Sequence, residues 1–348
     1  MNHVTAKVLA VPGAANKFKI HTGWLIILAG FAVLLTGMLY SVSKGAMPIP
    51  LQVAWDAIFH RDDTNPQHMV IYNLRLPRVI ASALIGASFG VAGALMQGIT
   101  RNPMADAGLM GLNAGAGFML SICFAFFSGI SYLQIMMLSF VGAALGAGLV
   151  YGIASLQRGG ASPMRLVLAG AAVTALLTAL SQSIAIYYNV ARSLMFWTSG
   201  GVAGSDWSQL KLAAPLTIAA ILGAMLLSRS VSLMNLGEDV AQGLGLKTAV
   251  VKTIGTILVL LLAGVSVAVV GAVGFIGLVV PHMCRALVGV DYRYIIPASA
   301  VFGALLLVTA DLAARTINPP SEIPIGALVA LIGVPFFLYL ARKQRRAG

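Results

Sequence analysis

The sequence predicts an all-α polytopic membrane protein with ten transmembrane helices. Of its 348 residues, 59% are hydrophobic and 9% are charged, whereas a soluble domain usually carries about 25% charged residues. The apolar runs are about 20 residues long and do not alternate with polar residues, which favours helices over barrel strands. The 38 glycines suit close helix packing in a membrane. We found no linker and no low-complexity tract, so we expect residues 1–348 to form a single transmembrane domain.

The candidate spans follow one another with short connections. Residues 1–22 form an N-terminal arm that we expect in the cytoplasm. No small-residue cleavage site closely follows the first apolar run, so we expect Trp24–Val42 to be retained as a span rather than removed as a signal peptide. The ten runs lie at about residues 24–43, 77–98, 104–127, 133–156, 164–188, 210–228, 248–269, 271–288, 294–313 and 324–341.

The eighth run differs from the others. Gly271, Gly274 and Gly277 interrupt it, and Pro281 follows. Because proline and glycine weaken helix interiors, this pattern predicts a short or broken helix.

The distribution of basic residues predicts the orientation. If the N-terminus is inside, fifteen of the 22 lysines and arginines fall on inner segments and seven on outer segments. Short cytoplasmic loops are enriched in lysine and arginine, so we expect both termini in the cytoplasm. The same bias accounts for the net charge of +12 without a nucleic-acid partner.

Three arginines lie at span ends on the outer face, where this rule disfavours basic charge: Arg75, Arg78 and Arg315. They could extend to the membrane interface or pair with a nearby acid such as Asp311. Alternatively, they could present guanidinium groups to carboxylates of an external partner, because arginine binds carboxylates through two parallel hydrogen bonds.

The inner segment Leu233–Lys247 predicts a short helix flanked by glycines. Gly237 can serve as its N-cap, and two acidic residues then occupy the first turn. Gly243 or Gly245 can end it in a left-handed conformation. A helix of about two turns is marginal alone. The segment is therefore either an ordinary loop or a rigid peg that fits a groove in a cytoplasmic motor subunit.

Enzymatic and ion-coupled functions find little support. The chain has no Walker sequence and no HExxH, so it does not hydrolyse ATP by itself. Ion-coupled carriers usually keep ionisable groups at mid-membrane, and the spans contain almost none. We expect Asp106 and Asp311 to cap span ends. His68 and His282 are isolated and more typical of polar surface groups than of metal ligands, so we expect no metal site.

Five ordered segments together form a family signature, and the similarity covers about residues 24–341. They are RLPR…GALMQGITRNPMADAGLMGLNAGAG (75–117), FWTSGGVAGSDW (196–207), LGEDVAQGLG (236–245), GAVGFIGLVVPHMCR (271–285) and EIPIGALVALIGVPFFLYL (322–340). They resemble the permease subunits of bacterial ABC importers for iron–siderophores, haem and cobalamin.

The resemblance implies a complex in the bacterial cytoplasmic membrane, in contact with lipid. A second permease subunit, identical or paralogous, would share a central path with this chain. Two cytoplasmic ATP-binding subunits and an extracytoplasmic substrate-binding protein would complete the importer. The chain itself would bind no cofactor, and ATP would be used by its partners.

The resemblance also assigns residues to roles. Arg75, Arg78 and Arg315 match positions that receive acidic residues of the binding protein. The cytoplasmic gate region is matched by Ser162, Pro163 and Arg165. The coupling region 236–246, which would contact the ATP-binding subunits, is matched by Leu236, Gly237, Glu238, Asp239, Val240, Ala241, Gly243, Leu244 and Gly245.

The sequence thus predicts an importer permease for a ferric siderophore, with a path lined by the second, fifth and eighth spans. A haem or cobalamin permease of the same family is one alternative. An ion-coupled secondary transporter is another, and for it only the interrupted region Gly271–Pro281 resembles an ion site.

Overall fold

The structure, a computed structural model, describes residues 13–45, 47–127, 129–156, 163–319 and 321–347, and this part of the chain is helical without strands. A π-helical segment, Ile71–Arg75, joins the third and fourth α-helices, and a 3-10 turn, Ala107–Met110, precedes the fifth. The α-helices in the described part are α1 (Gly13–Ser43), α2 (Leu51–Phe59), α3 (Pro66–Val70), α4 (Leu76–Thr100), α5 (Leu112–Phe126), α6 (Tyr132–Ser155), α7 (Pro163–Tyr187), α8 (Ala191–Thr198), α9 (Trp207–Met234), α10 (Glu238–Gly243), α11 (Thr248–Val270), α12 (Ile276–Val288), α13 (Tyr292–Thr316) and α14 (Ile325–Ala347).

The all-α membrane architecture predicted from the sequence is confirmed. Within the described residues, seven helical segments are long and apolar enough to cross a membrane, and they belong to α1, α4, α6, α7, α9, α11 and α13. Three shorter apolar helices, in α5, α12 and α14, occupy the other predicted positions. The count of ten membrane crossings stays a prediction.

Several helices begin at a side-chain cap. The Asp206 carboxylate accepts a hydrogen bond from the backbone N–H of Gln209 at 2.8 Å and caps α9. Ser131 and Gln134 form a reciprocal capping box at the start of α6. Asp106 caps the 3-10 turn, and Gly111 has a φ of 73°. Because this turn intervenes, α5 begins at Leu112, several residues later than the apolar run predicts.

Helix α4 forms the centre of the bundle. In the most apolar 18-residue stretch of α4, 78% of residues are buried, whereas the corresponding stretches of α1 and α7 are each 28% buried. It packs against α9, α11, α12 and α13. A Cβ atom at Gly86 would overlap the carbonyl of Gly303 in α13, and one at Gly93 would overlap the backbone of Gly277 in α12. These glycines let the backbones approach closely, which is how membrane helices gain packing energy.

The interruption predicted in the eighth run is confirmed. Helix α11 ends at Val270, and residues 271–275 are not helical. Gly271 and Phe275 have φ values of 79° and 68°. Val270 lines the same groove as Arg78, but Gly277 lies against Gly93, fifteen residues further along α4. The interruption therefore ends where Gly277 packs closely against α4, and α12 begins beside it.

The outer connections are more structured than the sequence indicates. The short helices α2, α3 and α8 were not predicted. His68, expected at the surface, is buried in α3, and its Nδ1 accepts a hydrogen bond from the Asp62 N–H at 3.1 Å. The expectation of an exposed histidine was wrong, because the preceding turn folds its backbone over the ring.

Candidate functional site

We call the end of the bundle that holds Arg78 the outer end and the end that holds α10 the inner end, after the predicted orientation. At the outer end, Arg78 is held by two carboxylates. Its Nε donates to Asp311 Oδ1 at 2.9 Å, and its two terminal nitrogens donate to the Glu322 carboxylate at 2.8 and 2.9 Å. Asp311 is fully buried and also lies 3.2 Å from Nη2 of Arg315. The structure thus shows the pairing with Asp311 that the sequence left open.

The other two arginines bind the end of α1. Arg75 donates from Nη1 to the carbonyls of Val42 and Ser43, both at 3.0 Å. Arg315 donates to the hydroxyl of Ser41 at 2.6 Å. The last carbonyls of a helix lack helical partners and carry partial negative charge. The guanidinium groups therefore fasten the end of α1 to the π-helical segment that precedes α4 and to α13.

The structure brings the three predicted docking arginines together but turns them inward. Arg75, Arg78 and Arg315 are 7%, 9% and 7% exposed, respectively. Of the three, Arg78 reaches a cavity that opens to the surface. Sequence reasoning found the cluster, but it did not find the internal partners that enclose it.

We call this cavity the outer groove, and its volume is about 310 Å³. It lies between α8, the loop 199–204 and the segment 322–325 that leads into α14. Its charged lining residues are Arg78, Arg192 and Glu322. The hydrogen bond from Arg78 lowers the pKa of Glu322. Sequence reasoning missed Arg192 as a site residue, although it precedes the motif that starts at Phe196.

A second depression, the polar groove, runs along α7 between α5 and α8 and has a volume of about 530 Å³. Thr174, Thr178 and Gln182 follow one another at four-residue spacing on one face of α7, and Asn113 lies opposite at the start of α5. The side chains of these four residues make no hydrogen bond with the described part of the chain.

Unpaired polar groups at membrane depth need water or a protein partner, because hydrocarbon offers neither donors nor acceptors. The polar groove is therefore the best candidate for a hydrated path along this subunit. Of the three spans expected to line a path, the fifth, α7, borders the polar groove, together with the third, α5. The second span, α4, is enclosed by other helices.

At the inner end, the predicted short helix is present as α10, Glu238–Gly243. Gly237 and Gly245 flank it with φ values of 123° and 84°. Glu238 accepts a hydrogen bond from Nζ of Lys252 at 2.7 Å, which lowers its pKa, and lies 3.9 Å from the guanidinium of Arg101. These contacts tie α10 to α11 and to the end of α4.

Three apolar side chains in α10 and at its two ends are exposed. Leu236, Val240 and Leu244 are 65%, 51% and 64% exposed, whereas Ala241 is fully buried. Leu236 and Leu244 flank α10 and Val240 lies within it, so the three exposed side chains cluster around one short helix. We call them the inner ridge. An apolar ridge of this kind is the face that an amphipathic helix presents to a partner groove.

The gate residues assigned from the family resemblance are only partly described. Ser162 lies outside the described residues. Pro163 begins α7, and Arg165 is half-buried in its first turn. Their role as a gate stays a prediction.

Comparison with known proteins gives consistent results. A model of the FecCD transport family matches residues 33–343. The iron(3+)-hydroxamate import system permease protein FhuB of Bacillus subtilis is 50% identical over 325 residues, which cover 92% of this chain and 84% of that protein. The iron-uptake system permease protein FeuB of the same organism is 39% identical over 320 residues, covering 92% and 96%.

The fold also matches a solved structure. A chain described as an inward-facing metal-chelate type ABC transporter superimposes with a TM-score of 0.80 at 27% identity. The match covers 91% of this chain and 99% of the solved one.

Proposed function

Because this chain belongs to the FecCD transport family, we propose that it is the membrane-spanning permease of an ATP-driven importer for an iron(III)–siderophore complex. The observation that carries this proposal is the 50% identity, over 92% of the chain, to a permease for iron(3+)-hydroxamate. The chain is a multi-pass membrane protein of the transport permease class. The iron complex is its cargo and not a resident cofactor.

The inner ridge supports an ATP-binding partner. Leu236, Val240 and Leu244 expose apolar surface at the inner end, while Glu238 and Gln242 hold the helix in place through Lys252 and Thr248. A helix that is held by hydrogen bonds and exposes apolar side chains can transmit the movement of a bound partner to the permease. We infer that α10 inserts into a groove of a cytoplasmic ATP-binding subunit, and a two-fold importer would contain two such contacts.

The polar groove supports a path for a bulky hydrophilic cargo. Its hydrogen-bonding groups are uncharged hydroxyls and amides. Such groups can replace water around a chelate without holding it tightly, as conduction requires. With both termini in the cytoplasm, α7 carries this lining toward the outer end, where α8 completes it.

The outer surface supports an extracytoplasmic binding protein. Arg78 reaches the outer groove, and Arg75 and Arg315 hold the segments beneath it. The docking role of all three arginines is part of this proposal. Their burial means that charge reversal would also break internal bonds. Loss of docking in such variants would therefore not separate recognition from folding.

The test is uptake into vesicles that contain the permease, its second permease subunit and the ATP-binding subunits. We expect transport of ⁵⁵Fe–hydroxamate siderophore to require ATP. Replacing the inner ridge by serine (Leu236→Ser, Val240→Ser, Leu244→Ser) removes the apolar contact, and we expect uptake to fall about 10-fold or more, by loss of roughly 1.4 kcal/mol or more. The ATP-binding subunits should also wash off more easily.

The matched control is Val290→Ser, an exposed apolar residue of another inner loop, which should leave uptake unchanged. Full uptake by the ridge variant would contradict the role of α10. Uptake that persists without ATP and follows the proton gradient would support a secondary transporter instead. Unlabelled haemin or cobalamin that competed better than the siderophore would correct the cargo.

A further inference from the structure

Arg192 is an exposed cation in the outer groove whose charge is not compensated. It lies in the first turn of α8 and makes no hydrogen bond or ion pair with the described part of the chain. Arg78, in the same groove, is bound by Asp311 and Glu322. The two arginines thus share a groove, but only one of them is free to bind a partner.

The charge balance around the outer groove favours an acidic partner. The arginines that line the groove or belong to the cluster beside it are Arg75, Arg78, Arg192 and Arg315, and the carboxylates of that cluster are Asp311 and Glu322. Two positive charges remain in excess. The buried arginines donate their hydrogen bonds to internal groups. The excess charge is therefore accessible at Arg192.

The surroundings of Arg192 have the composition of a protein interface. Met195 and Phe196, on the same helix, are 70% and 77% exposed, and Trp197 lines the groove. Arginine, methionine and aromatic residues are enriched where proteins bind one another. A volume of about 310 Å³ is at the lower limit for small-molecule sites. The groove therefore suits one or two inserted side chains better than a whole siderophore complex.

We propose that Arg192 is a docking residue of this permease and binds a carboxylate of the extracytoplasmic substrate-binding protein. The proposal rests on the proposed function and identifies the surface for that partner. Met195 and Phe196 pack around the pair and exclude water, which strengthens the charged hydrogen bonds.

The position of α8 connects this contact to transport. Its Met195 lines both the outer groove and the polar groove, and its Thr198 lines the polar groove. A carboxylate bound at Arg192 would therefore contact the same helix, α8, that lines the candidate path. The binding protein would deliver its cargo beside the opening into which the cargo must pass.

The experiment measures affinity between the purified binding protein of the importer and the complete permease–ATPase complex in nanodiscs. The variants are Arg192→Glu and Arg192→Gln. Lys211→Glu is the matched control, because Lys211 is an exposed cation at the outer end, on α9, that does not line the groove. We expect Arg192→Glu to weaken binding roughly 10- to 100-fold, Arg192→Gln less, and Lys211→Glu less than about twofold.

A charge exchange tests the pair directly. Exposed acidic residues on the docking face of the binding protein are changed to lysine one at a time, and one of them should restore affinity for Arg192→Glu. Affinity of Arg192→Glu within twofold of the unaltered complex would overturn the proposal. A shift of the variant from two permeases to one in size-exclusion chromatography would also overturn it and assign α8 to the contact between permeases. If the unaltered complex bound no binding protein at all, the proposed function itself would fail.

Discussion

Asp311 is the residue on which the outer charge network depends. Its carboxylate is fully buried and lies within ion-pair distance of both Arg78 and Arg315. Asp311→Asn would leave these two buried cations with one fewer negative charge, and breaking a buried pair in this way costs about 3–5 kcal/mol. We expect a clearly lower thermal unfolding temperature in detergent.

The matched control for this change is Asp63→Asn. Asp63 pairs with Arg61 at 2.5 Å, but both side chains are exposed to solvent. Exposed pairs contribute about 0–1 kcal/mol, so this variant should unfold close to the unaltered protein. Equal unfolding temperatures for the two variants would show that Asp311 is not required for stability.

Glu322 gives the network a dependence on pH. The hydrogen bond from Arg78 lowers its pKa in the folded protein. A carboxyl with a lowered pKa stabilises the fold above its ordinary pKa of about 4.3. This stability is lost as the pH falls through the folded value. Because Glu322 is half-exposed, we expect Glu322→Gln to cost about 1 kcal/mol or less at neutral pH.

The difference in unfolding temperature between Glu322→Gln and the unaltered protein should shrink as the pH falls below about 4.3. Unfolding curves recorded between neutral pH and the most acidic tolerated pH would show this convergence. A difference that stayed constant throughout would assign the effect to packing rather than to the charge.

Residue chemistry was predictable from the sequence only in part. The positions of Arg75, Arg78 and Arg315 at span ends follow from hydropathy. Their burial does not, because Arg78 finds its carboxylates 233 and 244 residues away. Arg192 was not singled out, since a lone outer arginine becomes informative only when its neighbours are seen to be paired.

At the scale of elements, the contact between α4 and α12 depends on glycine. A Cβ at Gly93 would overlap the backbone of Gly277, which cannot move aside as a flexible side chain can. We expect Gly93→Ala to destabilise the protein by about 1–3 kcal/mol, the usual cost of overpacking. In α6, Gly148 has open space around its Cβ position, so Gly148→Ala should instead stabilise the helix by about 0.5–1 kcal/mol.

The two variants make the same Gly→Ala change within a helix. A loss of stability in one and a gain in the other would therefore be due to the close approach of the two backbones. Unfolding temperatures measured in the same detergent would show the difference. If Gly93→Ala were as stable as Gly148→Ala, the two backbones would not touch in the membrane.

The elements themselves were largely predictable. Apolar runs located the long helices, and the glycines around Glu238 and Asp239 located α10. The start of α5 was displaced because Asp106 and Gly111 build a turn inside an apolar run. Helix α8 was missed because its eight residues mix polar and apolar types and packing against α5 and α7 supports it.

At the scale of the whole molecule, α4 connects the two functional ends. Its first turn carries Arg78, in the outer charge network, and its last turn leads to Arg101, beside Glu238 of α10. Because α4 is the most buried of the spanning helices described, it forms a fixed support between them. Helix α7 is largely unburied, with 28% of its most apolar stretch buried, and it borders the polar groove.

That contrast favours a path along α7, which a double variant can test. The double variant Thr174→Val, Thr178→Val keeps the shape of both side chains but removes two hydroxyls from the polar groove. A hydrogen bond is worth about 0.5–1.5 kcal/mol, so uptake of ferric siderophore should fall roughly 2- to 10-fold per threonine.

Thr309→Val is the matched control, since Thr309 is exposed on α13, outside the groove. Uptake should be measured beside basal ATP hydrolysis, which both variants should retain. Normal uptake by the double variant would move the path away from this face of α7, whereas equal losses in all variants would indicate a general effect of removing hydroxyls from the membrane helices.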